Sequence, residues 1–394
     1  MHSHFFTISF GEGTRRQQFA RTVMRLRCDM RRGCKFKSAL PCAVLCVVVC
    51  AVLYSFHVFS HSNMTYPGHY SPMRTYRVLM WHSFRRDFFH RMFGHDAVKG
   101  CPFACNFSQD RAELDSSDVV VLQSFFKSFW NSLPRRRRMA QAWLLYAMEP
   151  PHRLPSNPSR LDELAINWTL SYRFDADVVH RHSFKTVRRR TSGVDHSLLA
   201  PQPKVRPVAW IVSNCKSFSR RESYVQELQK FVPVDIFGGC GQRRCREHRF
   251  GCYREIAANY SFYLAFENSI CKDYSTEKLF LPLLNSMVPV VMGGANYSAV
   301  APPGSYINFA SFRTARELAA YLLELQGRPE QYRRYFEWKK QYAIERPPFG
   351  CTVCEQIHRL FTQGTARKRT SLYKYLWQEA ACTTWQGLLN RTWS

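Results

Sequence analysis

The clearest regularity in this chain is a succession of short apolar runs separated by stretches of helical spacing. From Tyr76 onward, apolar runs stand at residues 76–81 (YRVLMW), 118–122, 141–147 (QAWLLYA), 208–213 (VAWIVS), 234–237, 260–266 and 288–292. Runs of this length without alternation read as strands buried on both faces, as in a parallel sheet. A further strand is expected near 306–309. Helical spacing falls near 219–231, over 276–287 with Leu279, Leu283 and Leu284 on one face, and from about 314 to 325, with Ser311 or Thr314 as its cap. A polar, basic segment at 188–207 containing Pro201, Pro203 and Pro207 divides the runs into two blocks. The prediction is an α/β chain of two doubly wound, Rossmann-type domains, 74–200 and 201–360, followed by a C-terminal tail at 361–394. There is no internal repeat.

Residues 39–59 form one continuous apolar run with a single histidine. Twenty-one helical residues span about 30 Å, enough for a bilayer core. The run starts late, is long and lacks a small-residue cleavage site, which argues against a signal peptide. Nine Lys or Arg precede it (Arg15, Arg16, Arg21, Arg25, Arg27, Arg31, Arg32, Lys35 and Lys37), and none lies between 60 and 73. The expectation is a cytosolic tail (1–38), a single-pass transmembrane signal-anchor (39–59), a short stem (60–73) and a lumenal body.

Charge and cysteines refine this picture. The formal net charge is +27, which suits polyanionic partners such as a nucleoside diphosphate or an anionic membrane surface. Nucleic acid is not expected as a partner, since no RNP, zinc-finger or basic-zipper pattern accompanies the charge. Of fifteen cysteines ten lie in the body, an even number that suggests disulfides in an oxidising compartment. Cys101 and Cys105 form a CxxxC, Cys351 and Cys354 a CxxC, and Cys240, Cys245 and Cys252 share one short basic stretch, with Cys215 and Cys271 as further partners. Six N-x-[ST] sequons follow the membrane run, at Asn63, Asn106, Asn167, Asn259, Asn296 and Asn390.

The polar residues with chemical promise cluster between the apolar runs at 260–266 and 288–292, where Glu267, Asn268, Lys272, Asp273, Glu277 and Lys278 stand at a strand-to-helix crossover. Open α/β sheets bind ligands there, outside the carboxyl ends of the strands. Lys278 near a helix start combines its charge with free N–H groups, an arrangement suited to phosphate. Ser213 and Asn214 end another strand. In the first block, Glu149 follows an apolar strand and precedes Pro150 and Pro151, placing a carboxylate at a strand end.

FENS at 266–269, DYSTEKL at 273–279 and VPVV at 288–291, followed by Gly293 and Gly294, resemble the signature of the α1,3-fucosyltransferase family, Golgi type II membrane enzymes. The resemblance covers residues 76–360 and is strongest in the second half. It implies a GT-B fold with the active site in the cleft between two domains, and GDP-fucose as donor. The reaction would be inverting transfer of L-fucose to the 3-hydroxyl of GlcNAc in a glycoprotein or glycolipid glycan. Glu149 would be the general base; the family's ESP motif reads EPP here. Arg221, seven residues before Leu228, and Lys278 would stabilise the diphosphate, with Arg220 the rival to Arg221. Tyr274 and Glu277 would contact base and ribose, and Ser213 and Asn214 would lie beside them. Glu267 and Asn268 would line the cleft near the sugar. Asp175-Ala176-Asp177 looks like a metal-binding DxD but lies in the wrong half and matches the family's YRRDSD segment, here YRFDAD. Arg173 and Asp175 are therefore expected to shape the cleft. No obligatory metal is implied, and stimulation by Mn²⁺ is compatible with the pattern. The family also implies bridges from Cys101 and Cys105 to Cys351 and Cys354. Two other classes fit fewer features: a non-catalytic lumenal glycan-binding protein that keeps the fold, and a polyanion-binding protein resting on charge alone. The oligomeric state is not legible.

Overall fold

A computed structural model describes residues 74–393, apart from 83–84, 95–97, 126–128, 156, 181, 183, 190–200, 248–249 and 364–370. The expected membrane anchor and stem lie outside the described residues. Among the described residues no helix is long and apolar enough to cross a membrane.

The apolar runs form two wholly parallel sheets. The first contains β1 (Tyr76–Met80), β2 (Cys105–Ser108), β3 (Val119–Gln123), β4 (Ala142–Ala147), β5 (Trp168–Ser171) and β6 (Val178–Val179), in the order β2-β1-β3-β4-β5-β6. After β7 (Lys185–Arg188), the second sheet contains β8 (Arg206–Ile211), β9 (Val234–Phe237), β10 (Tyr260–Phe266), β11 (Val288–Met292) and β12 (Ile307–Asn308), in the order β12-β11-β10-β8-β9. Counted from its own first strand, the first sheet reads 2-1-3-4-5-6 and the second 2-1-3-4-5, the doubly wound order whose direction of winding reverses between its first and third strands. Burial on both faces explains the unbroken apolar runs: all seven residues of β10 and all five of β11 are buried.

Three features depart from the sequence expectation. Leu284, expected on the apolar face of its helix, is 49% exposed, whereas Leu279 and Leu283 are buried. The helix ends at Leu284, so this side chain sits on its last residue, at the frayed end of the apolar face. The strand near 306–309 is only two residues long and turns at once into a 3₁₀ helix, Phe309–Ser311, capped by Asn308. β7 pairs antiparallel with β13 (Tyr342–Glu345), joining the end of the first block to the second.

Residues beyond the second sheet return to the first. The helix Phe349–Gln363 places Phe349, Val353, Ile357 and Leu360 in the first sheet's core, and the bridges Cys101–Cys351 and Cys105–Cys354 pin it there. These are the pairings that the resemblance implied. The remaining body cysteines pair as Cys215–Cys240, Cys245–Cys252 and Cys271–Cys382. The segment read as a tail spans both cores. Leu372, Tyr375 and Leu376 pack beneath the first sheet, and Leu389, on the helix Trp385–Trp393, packs against the second.

Candidate active site

The two sheets differ at their reversal points. In the first sheet, His82 beyond β1 and Gln123 at the end of β3 bond one another: Gln123 Nε2 donates to the His82 carbonyl (2.8 Å) and His82 N donates to Gln123 Oε1 (2.9 Å). Both are buried, so this crevice is filled by protein. In the second sheet, Ser213 and Asn214 after β8 are exposed, while Glu267 and Asn268 follow β10. Arg221, which opens the helix Arg221–Leu228, bridges the two strand ends. Its Nη1 donates to the Phe266 carbonyl (2.6 Å) and its Nη2 to the Asn214 carbonyl (3.4 Å). The Ser213 hydroxyl accepts from Gly239 N (3.1 Å), and the Cys215–Cys240 bridge ties the same loops. Arg220 is exposed, with left-handed backbone (φ 55°).

The signature loop builds a charged cluster at the start of the helix Glu277–Leu284. Thr276 caps it, accepting from Lys278 N. The Glu267 carboxylate accepts from Thr276 N (2.8 Å) and from the Thr276 hydroxyl (2.8 Å). Lys278 Nζ lies 3.2 Å from Glu267 Oε2, 3.4 Å from Glu277 Oε1 and 2.8 Å from Thr276 Oγ1. Burial alone would lower the pKa of the Lys278 ammonium; Glu267 and Glu277 outweigh it and raise it, although Arg221 lies close enough to repel. Burial likewise opposes ionisation of Glu277, but Lys278 beside it holds its carboxyl down at about 2. The close approach needs Gly293 and Gly294: a Cβ on Gly294 would run into the Cys271 carbonyl, and one on Gly293 into the Tyr297 hydroxyl.

Glu149 enters this field from the first half. It is half-buried just beyond β4. Desolvation raises its pKa above the usual carboxylate range, against the pull of Arg153 and Lys278, while Glu277 and Glu267 push the same way as burial. The carboxylate therefore senses three residues of the signature loop. The 3₁₀ turn Pro151–Arg153 that follows carries His152, whose ring nitrogens stand 3.3 and 3.4 Å from Ser269 Oγ. The same ring stacks on Phe218 at 5.5 Å between centroids, 9° from parallel. Sequence reading missed His152 and Arg153; their adjacency to Glu149 was the available signal.

Tyr274 is only 3% exposed and packs edge-on against Tyr172 (4.8 Å) and His182 (5.9 Å). It forms a wall of the junction between the halves, without an open face toward the cleft. Arg173 is 1% exposed; its Nε and Nη2 donate to Asp175 (2.9 and 2.7 Å), Nη2 also to the Glu379 carboxylate (3.3 Å), and Nη1 to the Tyr375 carbonyl. Lys272 reaches Asp175 (3.4 Å), and Phe174 N donates to Asp273 (3.3 Å). Asp177 instead accepts from Thr169 N and Oγ1 (2.8 and 2.9 Å). The two carboxylates of the DxD thus serve different protein partners. Cys105, Cys354 and His358 lie close together, but both sulfurs are in a disulfide and so are not thiolate ligands.

Among the described residues, four buried polar atoms around the signature loop have no hydrogen-bond partner: Asn268 Oδ1, Ser275 Oγ, Tyr297 Oη and His182 Nε2. Buried polar atoms are nearly always paired, so these four call for a partner from outside the protein, water or ligand. The arrangement thus combines a desolvated carboxylate, a lysine held charged and a helix N-terminus around unsatisfied polar groups. It can take a proton on one side and stabilise an anionic leaving group on the other.

Comparison with known proteins agrees. Residues 73–183 match the family described as fucosyltransferase, N-terminal, and residues 201–375 match glycosyltransferase family 10 (fucosyltransferase), C-terminal. The chain is 34% identical over 294 residues to glycoprotein 3-alpha-L-fucosyltransferase A of Drosophila melanogaster, covering 72% of this chain and 57% of the relative. It is 32% identical over 282 residues to the same organism's alpha-(1,3)-fucosyltransferase C, covering 66% of each. It is 34% identical over 267 residues to a 4-galactosyl-N-acetylglucosaminide 3-alpha-L-fucosyltransferase of Homo sapiens, covering 65% of this chain and 68% of the relative. The matched region spans less than two thirds of the first two relatives' length. A crystal structure of an alpha1,3-fucosyltransferase shares the fold, with a TM-score of 0.52 at 14% identity, over 77% of this chain and 94% of the other. The chain belongs to glycosyltransferase family 10, the fucosyltransferases.

Proposed function

We propose that this protein is an inverting α1,3-fucosyltransferase that moves L-fucose from GDP-fucose to the 3-hydroxyl of a GlcNAc residue in a glycoprotein or glycolipid glycan. One observation carries the reading: Glu149, from the first half, has its pKa raised by burial within the field of Lys278, which Glu267 and Glu277 of the second half keep charged. A base and a cation on opposite walls of one cleft are what the reaction requires. The Glu149 carboxylate takes the proton of the acceptor hydroxyl as its oxygen bonds to the anomeric carbon. The bond from that carbon to the diphosphate oxygen breaks on the opposite face, which inverts the configuration. Negative charge grows on the departing GDP, where Lys278 and the helix N-terminus lie ready. Arg221 adds positive potential from behind, since its guanidinium also holds the strand ends. General-base assistance contributes about 10²–10⁴ in rate.

The proposed setting is the Golgi membrane, as a single-pass type II protein with residues 39–59 as anchor and the body in the lumen. The ten paired body cysteines support an oxidising compartment. So does the exposure of Asn106, Asn167, Asn259, Asn296 and Asn390, the five sequon asparagines within the described residues.

The relatives' names point to two acceptors, a glycoprotein and a 4-galactosylated GlcNAc. The test incubates the full chain in detergent with labelled GDP-fucose and a paucimannose N-glycopeptide, N-acetyllactosamine or a simple GlcNAc glycoside. Fucose on the 3-hydroxyl of any of them supports the proposal, and the preferred acceptor assigns the subclass. Folded protein that transfers to none refutes it.

A further inference from the structure

His182 lies between β6 and β7 in a stretch whose composition gives no hint of a site. Its backbone is left-handed (φ 47°), a conformation uncommon outside glycine, though histidine adopts it more often than most residues. The ring lies against the signature loop. It meets Tyr274 edge-on at 5.9 Å, and Glu277, Glu267 and Lys278 all lie within its electrostatic reach, with His180 behind it in the chain. Nε2 is buried without a partner. Either tautomer leaves this atom unsatisfied, as a donor in one and an acceptor in the other.

Burial disfavours the charged imidazole, and Glu277 and Glu267 only partly oppose this. The ring therefore suits a neutral hydroxyl better than an anion. Glu277, its nearest acidic neighbour by influence, is the residue expected beside the ribose. We propose that His182 is a donor-binding residue whose Nε2 hydrogen-bonds a ribose hydroxyl of the nucleotide held over Glu277 and Lys278. The inference rests on the reading of the cleft as a nucleoside diphosphate site.

The test is calorimetric titration of the full chain in detergent with GDP, 2′-deoxy-GDP and 3′-deoxy-GDP, for wild type, His182→Gly and His182→Gln. Glycine adopts the left-handed backbone without strain, so His182→Gly removes the imidazole while sparing the fold. The expected result is a roughly tenfold rise in the Kd for GDP in His182→Gly, partly recovered in His182→Gln. The loss of affinity on removing one of the two ribose hydroxyls, present in wild type, should vanish in His182→Gly, the non-additivity of groups in direct contact. The acceptor KM should not move. Unchanged GDP affinity in His182→Gly, or both deoxy penalties persisting there, overturns the inference alone. Failure of wild type to bind GDP overturns it together with the reading of the site.

Discussion

Lys278 Nζ sits 3.2 Å from Glu267 Oε2, with the lysine side chain 19% exposed and the glutamate 2%. Glu267 is in turn fixed by the amide and hydroxyl of Thr276, the residue that caps the lysine's own helix. The cation is thus oriented before a ligand arrives, and little reorganisation is needed when charge develops on a leaving group. Glu267 acts on the ligand through Lys278, so the two are one unit.

The desolvated state of Glu149 sets the acid limb of the pH profile. Its folded pKa is raised, and the base must be ionised, so activity is lost as pH falls through that raised value. The kcat/KM profile of the wild type should show an acid midpoint above the ordinary glutamate value of about 4.3. Glu149→Gln should remove the limb and lower kcat by about 10²–10⁴. A limb that survives in Glu149→Gln assigns the base elsewhere.

Arg173 joins the first half to the C-terminal segment through Asp175, Glu379 and the Tyr375 carbonyl, and its guanidinium lies 4.1 Å from the Tyr375 ring centre. Removing one partner of a buried ion pair costs about 3–5 kcal/mol; Asp175 and Glu379 keep some water, so Arg173→Ala should cost about 3 kcal/mol in urea unfolding. The pH dependence follows from Asp175. Burial alone would raise its pKa, yet Arg173 and Lys272 hold the carboxyl down at about 2. The stability this provides is present above the unfolded value of about 3.9 and is lost as pH falls toward 2. Arg173→Ala should flatten that part of the stability curve.

Gly294 has no room for a side chain, because the Cys271 carbonyl occupies the place of a Cβ. Gly294→Ala must displace the loop that Cys271–Cys382 anchors. Overpacking of this kind costs about 1–3 kcal/mol, and the melting temperature should fall accordingly. Activity should fall further than stability explains, since Asp273 N donates to the Gly294 carbonyl (3.1 Å) within the signature loop. A variant with a wild-type melting temperature and rate contradicts this account of the loop.

Much of this was legible because buried parallel strands announce themselves. β9, β10 and β11 begin and end where their apolar runs do, and Thr314 caps its helix as its chemistry suggests. The ribbon of Lys185–Arg188 with Tyr342–Glu345 was not legible, because half-exposed, charge-bearing strands lack an apolar run. Pairing of Cys271 with Cys382 across 111 residues leaves no local trace. In the site, Lys278, Glu277 and Glu267 stand where their spacing put them, since one loop carries all three. His152 and His182 escaped notice because their significance lies in contacts from the other half, with Ser269, Phe218 and Tyr274. The burial of Tyr274 escaped for the same reason.

The central claim is that a base from one half and a cation from the other act on one transfer. Its most direct test is a comparison of GDP-fucose transfer rates for wild type, Glu149→Gln, Lys278→Ala and the double variant. Each single variant should lose at least about 10²-fold, and the double should be little slower than the worse single, as for groups that act as a unit. A folded Glu149→Gln or Lys278→Ala protein that transfers fucose at the wild-type rate would contradict it.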